Sequence, residues 1–251
     1  MNGAHPGTDL PVVQVDLGEG VRAGFTTRAC GVSRPPYDAL NLGTAVGDDP
    51  VAVGRNRERL ARWAGAPVAY ATQVHGARVV LLSDPPGSGA SVGEADALVS
   101  VSPRVAVAVL VADCVPVLLA DAAAGVVAAV HAGRRGLAEG VVQAAVGSMV
   151  EQGADVARIR AAIGPSIAGE SYEVPAALQD EVAQLVPETR ATTAWGTPAL
   201  DLPAGVDAVL RRTGVRAVSR LGRDTWADPV LFSFRRSPRT GRFAGVVRPP
   251  A

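Results

Sequence analysis

Cysteine and histidine are scarce in this chain: two and three residues among 251. One of each brackets a single apolar stretch, DCVPVLLADAAAGVVAAVHAGRRG, with Cys114 near one end and His131 near the other. The runs Val115–Ala120 and Val126–Val130 are joined by a short connector ending in glycine, which predicts an antiparallel hairpin. With the loop over 121–124, Ala120 faces Gly125 and Cys114 faces His131, their β-carbons about 5 Å apart on one face. A one-residue slip would part them. The segment YATQVHGARVVLL places His75 beside a glycine between two strand-like runs, at a turn that would project its ring. His5 falls in the N-terminal tail and is expected to be inert.

A His, Cys, His donor set suits three chemistries. Bound to zinc, it leaves a fourth tetrahedral position open for water or substrate. The same trio is the equatorial set of a blue-copper site, with Gln73 as a substitute for the usual axial methionine, because the helix pattern buries Met149. A trinuclear copper cluster would need more histidines than the chain has. The third option is a metal-free nucleophile, Cys114 activated by His131. Asp113, beside the cysteine, is expected to orient a ligand, move a proton, or cap the hairpin end. HAGRRGLAEGVV reads as strand, glycine turn and helix start, an anion site in which Arg134 or Arg135 could fork onto a phosphate. IGPSIAG is a weaker turn of the same kind.

The elements that must position these residues follow from pattern. Short β-type runs are expected at 14–15, 21–26, 68–71, 79–82, 97–101, 105–111, 115–120, 126–131, 159–163 and 215–218, with a last hairpin pairing 230–234 and 242–247. Helices are expected after the Asp49 cap and Pro50, with Val53, Leu60 and Trp63 inward; through Leu137, Val141, Ala145 and Met149 to Gly153; and near 175–185 and 204–212. This predicts an α+β single domain over 13–251, preceded by a frayed tail at 1–12.

Composition narrows the partners. Hydrophobic residues make up 48% and charged residues 19%, with 24 acidic and 24 basic residues in balance, so neither nucleic acid nor a membrane is expected. All the basic residues are arginine, which removes Schiff-base and phosphate-loop lysine chemistry. The absence of a basic start before an apolar run, together with the two cysteines, leads to the expectation of a cytoplasmic protein with free thiols.

The motifs FTTRACGVS, ALNLGTAVGDDP with NRERL, TQVHG, EADALVS, ADCVPVLLAD, AVHAGRRG, IGPSI with YEV, and LFSFRR with TGR occur in this order from Phe25 to Val247. Together they resemble the YfiH-type family, variously named laccase-like polyphenol oxidase, purine nucleoside phosphorylase and peptidoglycan editing factor. The resemblance implies a layered αββα-like sandwich with mixed and antiparallel sheets, and one zinc held by His75, Cys114 and His131. It implies phosphorolysis of adenosine, inosine, guanosine and methylthioadenosine, with adenosine deamination, by a monomer or homodimer. Arg135 is then expected to bind phosphate or substrate, with Arg28 and Gln73 lining the same pocket. The alternatives are a Cys–His hydrolase acting on peptidoglycan precursors and a copper-dependent polyphenol oxidase. Arg134 stands where the family commonly has tryptophan, Cys30 replaces a glycine, and Asp224, Ser166 and Ser171 fall where cysteine is frequent.

Overall fold

The computed structural model describes residues 10–85 and 91–251. Thirteen strands are present among them: β1 (Val12–Gln14), β2 (Arg22–Thr26), β3 (Val68–Tyr70), β4 (Val79–Leu82), β5 (Ala97–Ser100), β6 (Ala106–Val111), β7 (Val115–Asp121), β8 (Val126–Ala132), β9 (Arg160–Ile163), β10 (Arg190–Thr192), β11 (Pro198–Leu200), β12 (Ala217–Arg220) and β13 (Phe243–Arg248). The helices are α1 (Pro50–Ala64), α2 (Arg134–Ala138), α3 (Val141–Glu151), α4 (Ala176–Leu185) and α5 (Leu202–Arg212).

A five-stranded sheet ordered β1-β2-β13-β6-β3 faces a six-stranded sheet ordered β12-β9-β7-β8-β5-β4. Parallel pairs (β3 with β6, β4 with β5, β9 with β12) mix with antiparallel ones. Between the sheets Phe25, Leu98, Val107, Leu118, Val127 and Ala129 form one core. Helix α1 covers the outer face of the first sheet through Leu60 and Trp63. Helices α3, α4 and α5 cover the second, where Leu137, Val141, Ala145 and Met149 form the expected four-residue stripe. The expected αββα sandwich is what forms. No helix among the described residues is long and apolar enough to cross a membrane.

Strand alternation decides what reaches the inner layer. Along β5, β7 and β8, Leu98, Leu118 and Ala129 point between the sheets. Carried in phase to the strand ends, the same side takes Asp96, Pro116 and His131.

Local readings need four corrections. The β7–β8 loop is 122–125, so His131 faces Pro116, and Cys114 lies just beyond the strand. Asp121 closes this loop by accepting the amides of Ala123 and Ala124. The slip is two residues, which preserves the face, so cysteine and histidine still converge. Residues 230–234 form turns and no strand, because the Val230 carbonyl accepts the Arg28 amide and the Leu231 carbonyl accepts the Arg236 guanidinium, occupying acceptors a ladder would need. β13 pairs with β2 and β6 instead. The long helix expected from Leu137 is two helices, parted at Gly140 with φ at +90°. Finally, the expected tail reaches too far: residues 1–9 lie outside the described residues, but Leu10 and Val12 pack against the α1 core.

Candidate functional site

His131 is the last inward residue of β8 and is 2% exposed. Its Nδ1 lies 2.7 Å from Asp96 Oδ1, and its backbone amide donates to the Asp96 carbonyl at 2.7 Å. With Nδ1 held by a carboxylate, the other ring nitrogen is presented to the site. Asp96 also accepts the amides of Val74, His75 and Gly76 at 3.1, 2.9 and 2.8 Å. One buried carboxylate therefore orients one histidine and the turn that carries the other. Burial pushes the Asp96 carboxyl up, but the His131 hydrogen bond and the turn amides outweigh it and hold it below the usual range.

His75 has φ at +59°, a left-handed conformation that costs a side-chain-bearing residue energy. The turn is fixed from both sides: Asp96 takes its amides, and Arg135 donates from Nε to the His75 carbonyl at 3.0 Å and from its terminus to the Val74 carbonyl. Gly133 sits beneath the cluster. A β-carbon there would meet His75 Cδ2 at 2.8 Å and Cys114 Sγ at 3.3 Å. Its φ of −74° suits any residue, so Gly133→Ala acts through its methyl alone. The variant should keep the wild-type melting temperature within a few degrees and lose about tenfold or more in metal affinity, measured by chelator competition. Unchanged affinity would show that the cluster tolerates displacement.

Cys114 Sγ lies 3.8 Å from His75 Nε2, and one ligand atom from each of His75, Cys114 and His131 falls within 4.8 Å of the others. A tetrahedral zinc keeps such donors roughly 3.3–3.6 Å apart, so contraction of about an ångström would seat one. Burial pushes the Cys114 thiol up, yet the His131 charge and hydrogen bonds from both histidines bring it to about 6. His131 moves the other way, to about 9: burial lowers it, and Cys114 and Asp96 raise it further. Metal-free protein thus holds a thiolate–imidazolium pair between those values. In a Cys30→Ser background, iodoacetamide alkylation of Cys114 should rise through a midpoint near pH 6 and level off above it. A midpoint above 8 would contradict the pairing.

Over residues 22–249 the sequence matches the family described as multi-copper polyphenol oxidoreductase laccase. The chain belongs to this family. It is 52% identical over 230 residues to a Mycobacterium tuberculosis protein named purine nucleoside phosphorylase, covering 90% of this chain and 91% of the relative. A Streptomyces coelicolor protein of the same name is 52% identical over 239 residues, covering 93% and 98%. Among solved structures, a Neisseria meningitidis protein superposes with a TM-score of 0.87 at 36% identity, covering 96% of this chain and 99% of its own. The YfiH protein of Bacillus licheniformis does so with a TM-score of 0.87 at 28% identity, covering 96% and 97%.

Within this laccase-family fold the other expected residues divide. Asp113 has φ at +100° and turns its carboxylate away to accept the Thr225 hydroxyl at 2.6 Å and the Arg235 amide at 2.7 Å, so it ties loops together. Arg135, expected at a phosphate, is engaged with the His75 turn and with Glu139 at 3.3 Å. The Gln73 amide is occupied at both ends by the Leu110 backbone, at 2.8 and 2.7 Å. Arg28 pairs with Asp38 and lies over Phe232. With five residues, α2 is too short to supply the expected helix-terminus anion site.

Tyr172, Arg242 and Asp96, given no role by the sequence reading, bear on the cluster as well. Tyr172 is held above the usual phenol range by burial and by the neighbouring charge of Cys114, against the opposing charges of Arg235 and Arg134. Arg242 feels the charges of Cys114 and Asp113. Asp96 carried a signal in EADALVS, an acid in phase with the inward Leu98. Two departures from the family pattern meet: Ser171 donates to Asp224 at 2.6 Å.

Proposed function

We propose that this protein is a zinc-dependent purine nucleoside phosphorylase that also deaminates adenosine, acting on adenosine, inosine, guanosine and methylthioadenosine. The observation carrying the reading is the His75–Cys114–His131 cluster, organised through Asp96, in a chain whose relatives bear the phosphorylase name. The three side chains would hold the metal; when bound, zinc supplies Lewis acidity and a water that deprotonates near pH 7. Asp96 fixes the His131 tautomer and the His75 turn. Arg134, whose charge is felt at Tyr172, supplies the cation for phosphate that Arg135 and Arg28 do not, while Arg242 is held by the Thr240 and Gly241 carbonyls. Phosphate held there forms its bond to the ribose C1′ as the base departs, and its negative charge stabilises the cation-like sugar.

Copper is less well served. Met149 is locked in the core beneath the helices, and the Gln73 amide is pinned to Leu110, so neither offers an axial ligand.

One geometry favours a second reading. Cys114, His131 and Asp96 are arranged as nucleophile, base and orienting acid, the order a metal-free hydrolase of cell-wall precursors would use. The deciding measurement is base release from inosine with and without phosphate, in wild type and His75→Ala. Phosphorolysis requires phosphate and is lost in the variant with its metal. No base release from inosine, together with release of an amino acid from a cell-wall precursor peptide that survives His75→Ala, would establish the hydrolase.

A further inference from the structure

A groove of about 660 Å³ runs between the 171–176 turn, the tip of the β10–β11 hairpin and the loop through 226 and 235. That volume lies within the ~300–1,000 Å³ range of small-molecule pockets. Two of the chain's three tryptophans line it, Trp195 at 53% exposure and Trp226 at 38%. Indole rings left open on a concave wall are binding surface more than packing. Trp195 is held in place, its indole N–H donating to Glu173 at 2.5 Å.

The groove wall is tied to the loop that carries Cys114. Thr225, next to Trp226, and Arg235, on the groove wall, bond opposite oxygens of the Asp113 carboxylate, one residue from Cys114. The Arg235 guanidinium lies 4.9 Å over the Tyr172 ring and donates to the Glu173 carbonyl at 2.9 Å. Asp113 thus joins the groove wall to the Cys114 loop, and Tyr172, beneath Arg235, feels the charge of Cys114, so the groove and the donor cluster share a neighbour.

We propose that this groove binds the heteroaromatic base of the nucleoside, stacked on Trp226 and Trp195. The proposal rests on the nucleoside reading above and adds the residues that hold the base. Stacking of this kind tolerates different bases because each has a π-face. It acts equally on bound substrate and transition state, so its loss raises KM more than it lowers kcat.

Intrinsic fluorescence reads the groove directly, because the remaining tryptophan, Trp63, is buried beneath α1 at 4% exposure. Titrating the purified protein with inosine in the absence of phosphate should give saturable quenching. Trp226→Ala and Trp195→Ala should each raise the inosine dissociation constant and KM about tenfold, with kcat within about threefold, while Trp226→Phe, which keeps a ring, stays close to wild type. Absent quenching, or inosine binding that neither alanine variant weakens, would overturn the groove assignment. The two readings fail separately: phosphate-dependent turnover with unmoved KM in both variants removes only the groove, whereas quenching without turnover removes only the phosphorylase.

Discussion

Cys114→Ser should strip the protein of stoichiometric metal and lower phosphate-dependent kcat/KM by at least about a thousandfold, some 4 kcal/mol of transition-state stabilisation. Serine matches the thiol in shape, but its alcohol does not ionise near neutrality, whereas the Cys114 thiol is already drawn down to about 6 by His131 and His75. The residue lies outside β7 and is only half-buried, so the sandwich should be unaffected and circular dichroism should match wild type. Both a metal enzyme and a cysteine hydrolase lose activity on this substitution. Metal content separates them: elemental analysis should give about one zinc per chain in wild type and almost none in the variant. A variant that retains zinc and activity would remove the sulfur from the site.

The donor trio was readable from sequence because parity is more robust than register. Placing the loop at 121–124 put the wrong residue opposite His131, yet the error was an even number of residues, and the inward face survived. Arg135 shows the opposite case. Arg134 and Arg135 are adjacent on a helix, pointing about 100° apart, and nothing in HAGRRG tells which faces Tyr172 and which clamps the His75 turn. That choice is made by the crossing of α2 over the 74–76 turn, a contact between segments 60 residues apart. Residues 230–234 have strand-like composition, but the Val230 and Leu231 carbonyls are taken by the Arg28 amide and the Arg236 guanidinium, and no local pattern announces it. The β10–β11 hairpin went unread because its strands are three residues each and one begins with Pro198. The layers were legible, since each depends on many residues voting together; the pocket walls depend on single side chains.

Asp96→Asn should be the most costly single-atom change in the molecule, and its effects should fall on stability and metal binding together. The carboxylate is fully buried and accepts from His131 Nδ1 and from three consecutive amides of the 74–76 turn. An asparagine offers one acceptor oxygen and turns an N–H towards either the imidazole or the amides, leaving a buried donor facing a donor. Breaking a buried charged pair in this way costs about 3–5 kcal/mol, and loss of a carboxylate behind a ligand histidine about 10–100-fold in metal affinity. The pH dependence carries the signature. Asp96 has its folded pKa held below the unfolded value, so its contribution is complete above about pH 4 and disappears as pH falls through the depressed folded value. The stability gap between wild type and Asp96→Asn, measured by urea denaturation of metal-free protein, should therefore be widest near neutrality and narrow in acid. A gap independent of pH would assign the loss to packing, and zinc affinity equal to wild type would mean that His131 is oriented without its carboxylate partner.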